Sequence, residues 1–266
     1  MQLSGRRALL TGASGGIGVA IARALHARGA QVVASGRRAD ALGALRDELG
    51  DRLEPVVSDL ADADAPRELF ERAGAVDVLV ANAGLPGTGT MDAFTEDEMD
   101  RALAVNLRAP MQLARLLVPA MLERGAGGHL VFISSTSGKI VSPNSSVYAA
   151  TKFGLRGFAA GLRDDLHGTE VGATAIFPGP ISDAGMWADA GLETPPGMRL
   201  RSPEQVAAAV IKGIERDRGE IDVAAPEIRL SAKLAGLAPG LVSAIQRRAG
   251  GAEVSAALTE AQREKR

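Results

Sequence analysis

Tyr148 and Lys152 are four residues apart, a spacing that puts both side chains on one face of a helix. A free phenol has a pKa of about 10, too high to serve as a base near neutral pH. An ammonium one turn away favours the phenolate and moves that pKa towards the range where general acid–base catalysis works. Tyr148 is the only tyrosine, and the chain has no cysteine, so thiolate chemistry, disulfides and cysteine metal sites are excluded. Ser135 stands thirteen residues before Tyr148, at the end of an apolar run that reads as a strand. Ligands of parallel sheets bind beyond the carboxyl ends of the strands, so a hydroxyl there can face the same crevice and hydrogen-bond an oxygen that gains charge. Ser134 is the alternative; the thirteen-residue spacing favours Ser135. Each residue also has a plain structural reading: Tyr148 as a half-buried helix aromatic, Lys152 as one end of a solvated face.

A second constellation lies near the N-terminus. Thr11-Gly12-Ala13-Ser14-Gly15-Gly16-Ile17-Gly18 follows a first apolar run and opens a helical pattern. Small residues at Gly12, Gly16 and Gly18 allow a sharp turn, a close approach of a pyrophosphate to the backbone, and helix–strand packing. The helix start offers unpaired N–H groups and partial positive charge for phosphates. After the second apolar run the chain reads Ser35-Gly36-Arg37-Arg38, without the acid that would hold a ribose 2′-hydroxyl. Two guanidiniums suit a 2′-phosphate, so NADP(H) is expected over NAD(H).

At this point the chain resembles the short-chain dehydrogenase/reductase family over about residues 4–225. The motifs are Thr11-Gly12-x3-Gly16-x-Gly18, Asp59-Leu60, Asn82-Ala83-Gly84, Asn106, Ser135, Tyr148-x3-Lys152 and Pro178-Gly179, in that order. The resemblance implies hydride transfer between a nicotinamide and a ketone, aldehyde or secondary alcohol. It implies that Tyr148 exchanges a proton with the substrate oxygen, which Ser135 holds. Lys152 would lower the Tyr148 pKa and bind the nicotinamide ribose, and Asn106 would position a relay water. Asp59, with Leu60, would contact the adenine; Asn82, Ala83 and Gly84 would line the cofactor cleft. The family usually has a threonine after Pro178-Gly179, whereas this chain runs Pro180-Ile181-Ser182-Asp183. Ser182 or the backbone at Ile181 is left to make the carboxamide contact. Asp59 as a helix N-cap and Asn106 as a bend or cap near Pro110 are the structural alternatives. A homodimer or homotetramer through helices at 99–123 and 148–167 is also implied.

The elements that must position these groups alternate. Strands are expected at 6–11, 31–35, 53–58, 76–81, 130–134, 171–177 and 221–224. Helices are expected at 17–28, 39–49, 64–73, 95–123 with a bend around Pro110, 146–167 and 202–216. Continuous apolar strands between helices predict an α/β fold, a doubly wound parallel sheet with helices on both faces in a single domain. Residues 1–226 form the dinucleotide-binding and catalytic part. The glycine-rich stretch 184–200, with Met186, Trp187, Leu192 and Met198, is read as a substrate lid, and its apolar content suggests a mainly apolar substrate.

Net charge is −2 (30 Lys and Arg against 32 Asp and Glu), and aromatics are scarce. Nucleic acid is therefore not expected as a partner. Three scattered histidines offer no metal cluster. No apolar stretch suits a signal peptide or a spanning helix, so a cytoplasmic protein is expected. Residues 227–266 differ in character, with seven basic and four acidic residues. Leu230, Leu234, Leu237, Leu241 and Ile245 fall near one helical face beside Arg229, Lys233, Arg247 and Arg248. Packing of this tail on the body or on a partner subunit is expected ahead of contact with a membrane surface.

Overall fold

The computed structural model describes residues 1–191, 194, 199–248 and 251–262. Its strands are β1 (Arg7–Thr11), β2 (Gln31–Gly36), β3 (Leu53–Val57), β4 (Val78–Ala81), β5 (Gly128–Ile133), β6 (Val171–Pro178) and β7 (Glu220–Val223). They form one parallel sheet in the order β3-β2-β1-β4-β5-β6-β7. The chain lays β2 and β3 to one side of β1, then crosses to place β4 on the other. That reversal opens a crevice at the carboxyl ends of β1 and β4, where ligands of such sheets bind. The glycine turn follows β1, Asn82 follows β4, and Ser135 follows β5.

The helices are α1 (Gly16–Ala27), α2 (Ala39–Leu49), α3 (Ala65–Ala73), α4 (Glu96–Leu103), α5 (Ala109–Arg124), α6 (Ser146–Asp165), α7 (Gly185–Asp189) and α8 (Pro203–Arg216). Successive strand residues point to opposite faces, and here both faces are covered. Leu10, Val80 and Val131 meet Ile21 and Leu25 of α1 and Val210 and Ile214 of α8 on one side. Leu9, Leu79 and Phe132 meet Leu113, Leu117 and Met121 of α5 and Leu155 of α6 on the other. Ser202 opens α8 with a reciprocal cap: its hydroxyl accepts from Gln205 N, and the Gln205 side chain accepts from Ser202 N. Pro203 then sits in the first turn, where its missing N–H leaves no helical bond unmade.

The long helical region bends earlier than expected. The break lies at Ala104–Arg108, a single π-type turn between α4 and α5. Pro110 is not the cause, because it occupies the first turn of α5, where proline is tolerated. Such widened turns are frequent at functional sites, and this one carries Asn106.

Beyond β7 the chain forms α9 (Pro226–Leu237), α10 (Pro239–Arg248) and α11 (Gly251–Gln262). The last helix reaches back over the body: Thr88 Oγ1, in the loop after β4, donates to Gln262 Oε1 at 3.0 Å. The expected packing of the tail leucines on the body does not occur. Leu230, Leu234, Leu241 and Ile245 are 43–60% exposed and Leu237 is 86% exposed. Among the described residues, no helix is long and apolar enough to cross a membrane.

Candidate active site

The glycine turn is fixed by Thr11, the first residue of its motif. Thr11 Oγ1 accepts from both Asn82 N and Ala83 N, at 3.0 and 3.1 Å. The Asn82 amide in turn donates to Thr11 O and Gly12 O, each at 3.1 Å. Asn82 thus ties β4 to the turn and holds the crevice in shape. Gly12 has a φ of +66°, and a Cβ there would lie 2.8 Å from Ala83 Cα. A Cβ on Gly18 would collide with Gly12 O, so the helix starts hard against the turn. No side chain caps α1.

Arg37 and Arg38 are exposed at the end of β2. The Arg38 guanidinium donates to Ser14 O, which ties Arg38 to the rim of the turn. Asp59 is exposed; it accepts from Ala61 N at 3.1 Å and pairs with Arg101 at 3.4 Å. It does not cap α3, which begins after Asp64. Leu60 beside it is buried.

Ser134 and Ser135 are separated by their partners. Ser134 is buried and donates to Lys152 O at 3.0 Å, so its hydroxyl is spent on α6. Ser135 Oγ accepts from Ser137 N at 3.1 Å and hydrogen-bonds the Tyr148 phenol. The loop after β4 lies flush on the start of α6. Tyr148 N donates to Gly87 O at 3.1 Å, and a Cβ on Gly87 would come within 3.0 Å of Tyr148 N. Lys152 is buried, its Nζ donates to Ile133 O at 3.0 Å, and it stands 5.6 Å from the centre of the Tyr148 ring. Gly84 faces it: a Cβ there would lie 3.6 Å from Lys152 Nζ and 3.5 Å from Asn106 Oδ1.

The electrostatics correct one expectation. The phenol of Tyr148 is not acidified. Burial pushes its pKa up to about 12, and the hydrogen bond from Ser135 opposes that rise. Burial also pushes Lys152 down to about 8. The ammonium donates to the Ile133 carbonyl, and burial dominates at the phenol.

Asn106 lies on the π-type turn, against the loop after β4. It is fully buried, and its Oδ1 accepts from Leu85 N at 2.7 Å. Its Nδ2 donates to Leu85 O at 2.9 Å and to Thr151 Oγ1 at 3.3 Å. Thr151 in turn donates to Tyr148 O at 2.8 Å. The side chain therefore locks the loop after β4 to α6, and no amide hydrogen is left over for a relay water.

Pro178-Gly179 closes β6, with Gly179 N donating to Val223 O at 3.0 Å. Ile181 is buried and bridges Arg201. Both Ser182 N, at 2.8 Å, and Ser182 Oγ, at 3.4 Å, donate to Arg201 O, so Ser182 is not a spare donor. The chain then turns onto the glycine turn: a Cβ on Gly16 would collide with Ala184, and one on Gly185 would lie 3.4 Å from Ile17 Cδ1. Trp187 of α7 is buried with its indole nitrogen lacking a partner among the described residues. Leu192, Gly197 and Met198 of the expected lid lie outside the described residues, as does the side chain of Met186.

These features fit a dinucleotide. The turn packs too closely for side chains at Gly12, Gly16 and Gly18, and the helix start that follows has no side-chain cap, which leaves its N–H groups for phosphates. The family described as short chain dehydrogenase matches residues 6–194. The chain belongs to the short-chain dehydrogenase/reductase family. It is 36% identical over 248 residues to ketoacyl reductase HetN of Nostoc sp., covering 91% of this chain and 86% of that one. It is 36% identical over 253 residues to dehydrogenase/reductase SDR family member 7B of Bos taurus, covering 88% and 78%. Among solved structures, the closed form of serine dehydrogenase complexed with NADP+ superposes with a TM-score of 0.74 at 30% identity, over 82% of this chain and 94% of that one. A short-chain dehydrogenase from Streptomyces avermitilis gives 0.76 at 27% identity, over 93% and 97%. This short-chain dehydrogenase/reductase is thus an oxidoreductase with a nicotinamide cofactor site.

Proposed function

We propose that the enzyme interconverts a ketone or aldehyde and an alcohol with NADP(H), using Tyr148 as the acid and base. The observation that carries this reading is the hydroxyl pair of Ser135 and Tyr148 at the mouth of β5, with the Lys152 ammonium beneath the ring. When bound, the cofactor supplies or accepts the hydride. In the reducing direction the protonated phenol is the correct form, because Tyr148 keeps its proton at neutral pH. It passes that proton to the substrate oxygen while Ser135 hydrogen-bonds the same oxygen. Lys152, charged below pH of about 8, stabilises the phenolate left behind. Arg37 and Arg38 would hold a 2′-phosphate, Ser14, Gly16 and Ile17 the pyrophosphate, and Ile181 the carboxamide through its backbone.

A depression of about 390 Å³ lies between the loop after β4 and the loop before α6, lined by Gly89, Met91, Val141 and Ala149 among others. Thr90, Ser142, Asn144, Ser145 and Ser146 line it as well, so it offers hydroxyl and amide groups beside the apolar ones. A larger hollow, about 510 Å³, lies between Met1–Ser4 and Arg28 and includes none of the site residues. Leu103, Met111 and Leu122 along α4 and α5, and Phe153 on α6, are exposed, which supports a homo-oligomer through these helices. A panel of carbonyl compounds with NADPH oxidation as readout identifies the substrate class. With any compound that turns over, Tyr148→Phe is expected to lose at least about a thousandfold in turnover while NADPH binding stays intact. A variant with full activity would overturn the assignment.

A further inference from the structure

We propose that the outer face of α9 and α10 is a docking surface for an anionic lipid bilayer. Five large aliphatic side chains, Leu230, Leu234, Leu237, Leu241 and Ile245, stand exposed at intervals of four, three, four and four residues. The spacing puts Leu230, Leu234 and Leu237 on one face of α9, and Leu241 and Ile245 on one face of α10, the next helix. Scattered exposed aliphatic side chains are ordinary, but five on two consecutive helices mark a contact surface.

Charge selects the occupant. Between Glu227 and Glu253 there are four cations, Arg229, Lys233, Arg247 and Arg248, and no anion. That segment carries +4, so the remaining residues carry −6 against the chain total of −2. Arg229 and Lys233 are exposed, each one residue before a leucine of the row. Glu227, the acid at the start of α9, is engaged by Arg199 at 2.8 Å. An apolar row edged by lysine and arginine without acids matches helices that lie in the plane of an anionic membrane. Two copies pairing through this face would bring like charges together, and the exposed apolar residues of α4, α5 and α6 offer self-association another surface. Among the described residues α9 buries no side chain fully; its inner side, including Ile228, rests beside Gly179 and leaves the leucines outward.

The test is sedimentation of the full-length protein with vesicles of phosphatidylglycerol and phosphatidylcholine in equal parts, and with phosphatidylcholine alone. Light scattering gives the mass in solution, and thermal unfolding and NADPH binding report on folding. The parent protein is expected to pellet with anionic vesicles at low salt, and much less with phosphatidylcholine or at high salt. Arg229→Gln with Lys233→Gln is expected to bind about thirty-fold more weakly, as the loss of two surface cations. Leu234→Ser, Leu237→Ser and Leu241→Ser together are expected to abolish binding with unfolding temperature and NADPH affinity unchanged. If the leucine variant fails to fold, the charge variant and the lipid comparison still decide. Parent protein that stays in the supernatant overturns the proposal, as does equal binding to both vesicle types. A leucine variant of lower mass alongside a parent that ignores vesicles would make the face an interface between copies.

Discussion

Replacing Lys152 by methionine keeps the methylene stem and removes the charge. The ammonium is 5.6 Å from the centre of the Tyr148 ring. At that distance, with an effective dielectric constant of about 20, a unit charge on the ring would gain about 3 kcal/mol from it. Only the phenolate formed as Tyr148 gives up its proton collects this energy, so the loss falls on the transition state and amounts to about a hundredfold in rate. The assay is kcat/KM for NADPH-dependent reduction across the pH range, with NADPH affinity measured separately by fluorescence to remove any contribution from ribose binding. The parent should lose activity as pH rises through the ionisation of Lys152 near 8, because Tyr148 remains protonated throughout while the ammonium discharges. Lys152→Met should be slow and flat over the same range. A methionine variant within threefold of the parent at neutral pH, or a parent whose reductase rate climbs through pH 8, would refute the electrostatic role.

Gly18→Ala should lose cofactor binding and cost about 1–3 kcal/mol of stability, since its methyl collides with backbone that cannot yield. Gly43→Ala on α2, where a methyl meets nothing within 4 Å, should raise stability by about 0.5–1 kcal/mol; chemical denaturation measures both. Arg37→Ala should weaken NADPH more than NADH, and equal losses would remove the 2′-phosphate argument. His129 is buried, hydrogen-bonded through Nε2 to Thr174 Oγ1, and pushed down to about 4 chiefly by burial, although Asp217 pulls the other way. The unfolded chain binds that proton at a pH where the folded one does not. Stability therefore falls as pH drops from about 6.5 to 4, by up to about 3 kcal/mol, and His129→Gln should flatten the loss.

Much of this architecture was legible because it depends on local pattern. The apolar runs and helical spacings located the strands and helices to within a few residues, and α2 ends where its leucine spacing ends. The thirteen-residue spacing favoured Ser135 over Ser134, and in the structure the Ser134 hydroxyl is spent on Lys152 O while Ser135 faces Tyr148. What was not legible depends on neighbours distant in sequence. Asn106 is occupied by Leu85 and Thr151, and Lys152 by the Ile133 carbonyl; no spacing encodes either contact. The depressed Lys152 and raised Tyr148 pKa values follow from burial, which a helical wheel does not supply. Proline at 110 was misread as a bend, although the first turn of a helix accepts it. Thr11 is legible as the first residue of the glycine motif, but not the action of its hydroxyl on backbone about seventy residues away.

The contact of Ala184 with Gly16 bears on the order of events in turnover. On the proposed reading, a nucleotide held along the first turn of α1 would lie against the stretch that leaves β6, and its exchange would require that stretch to lift. Slow nucleotide release is then the expected outcome in transient kinetics.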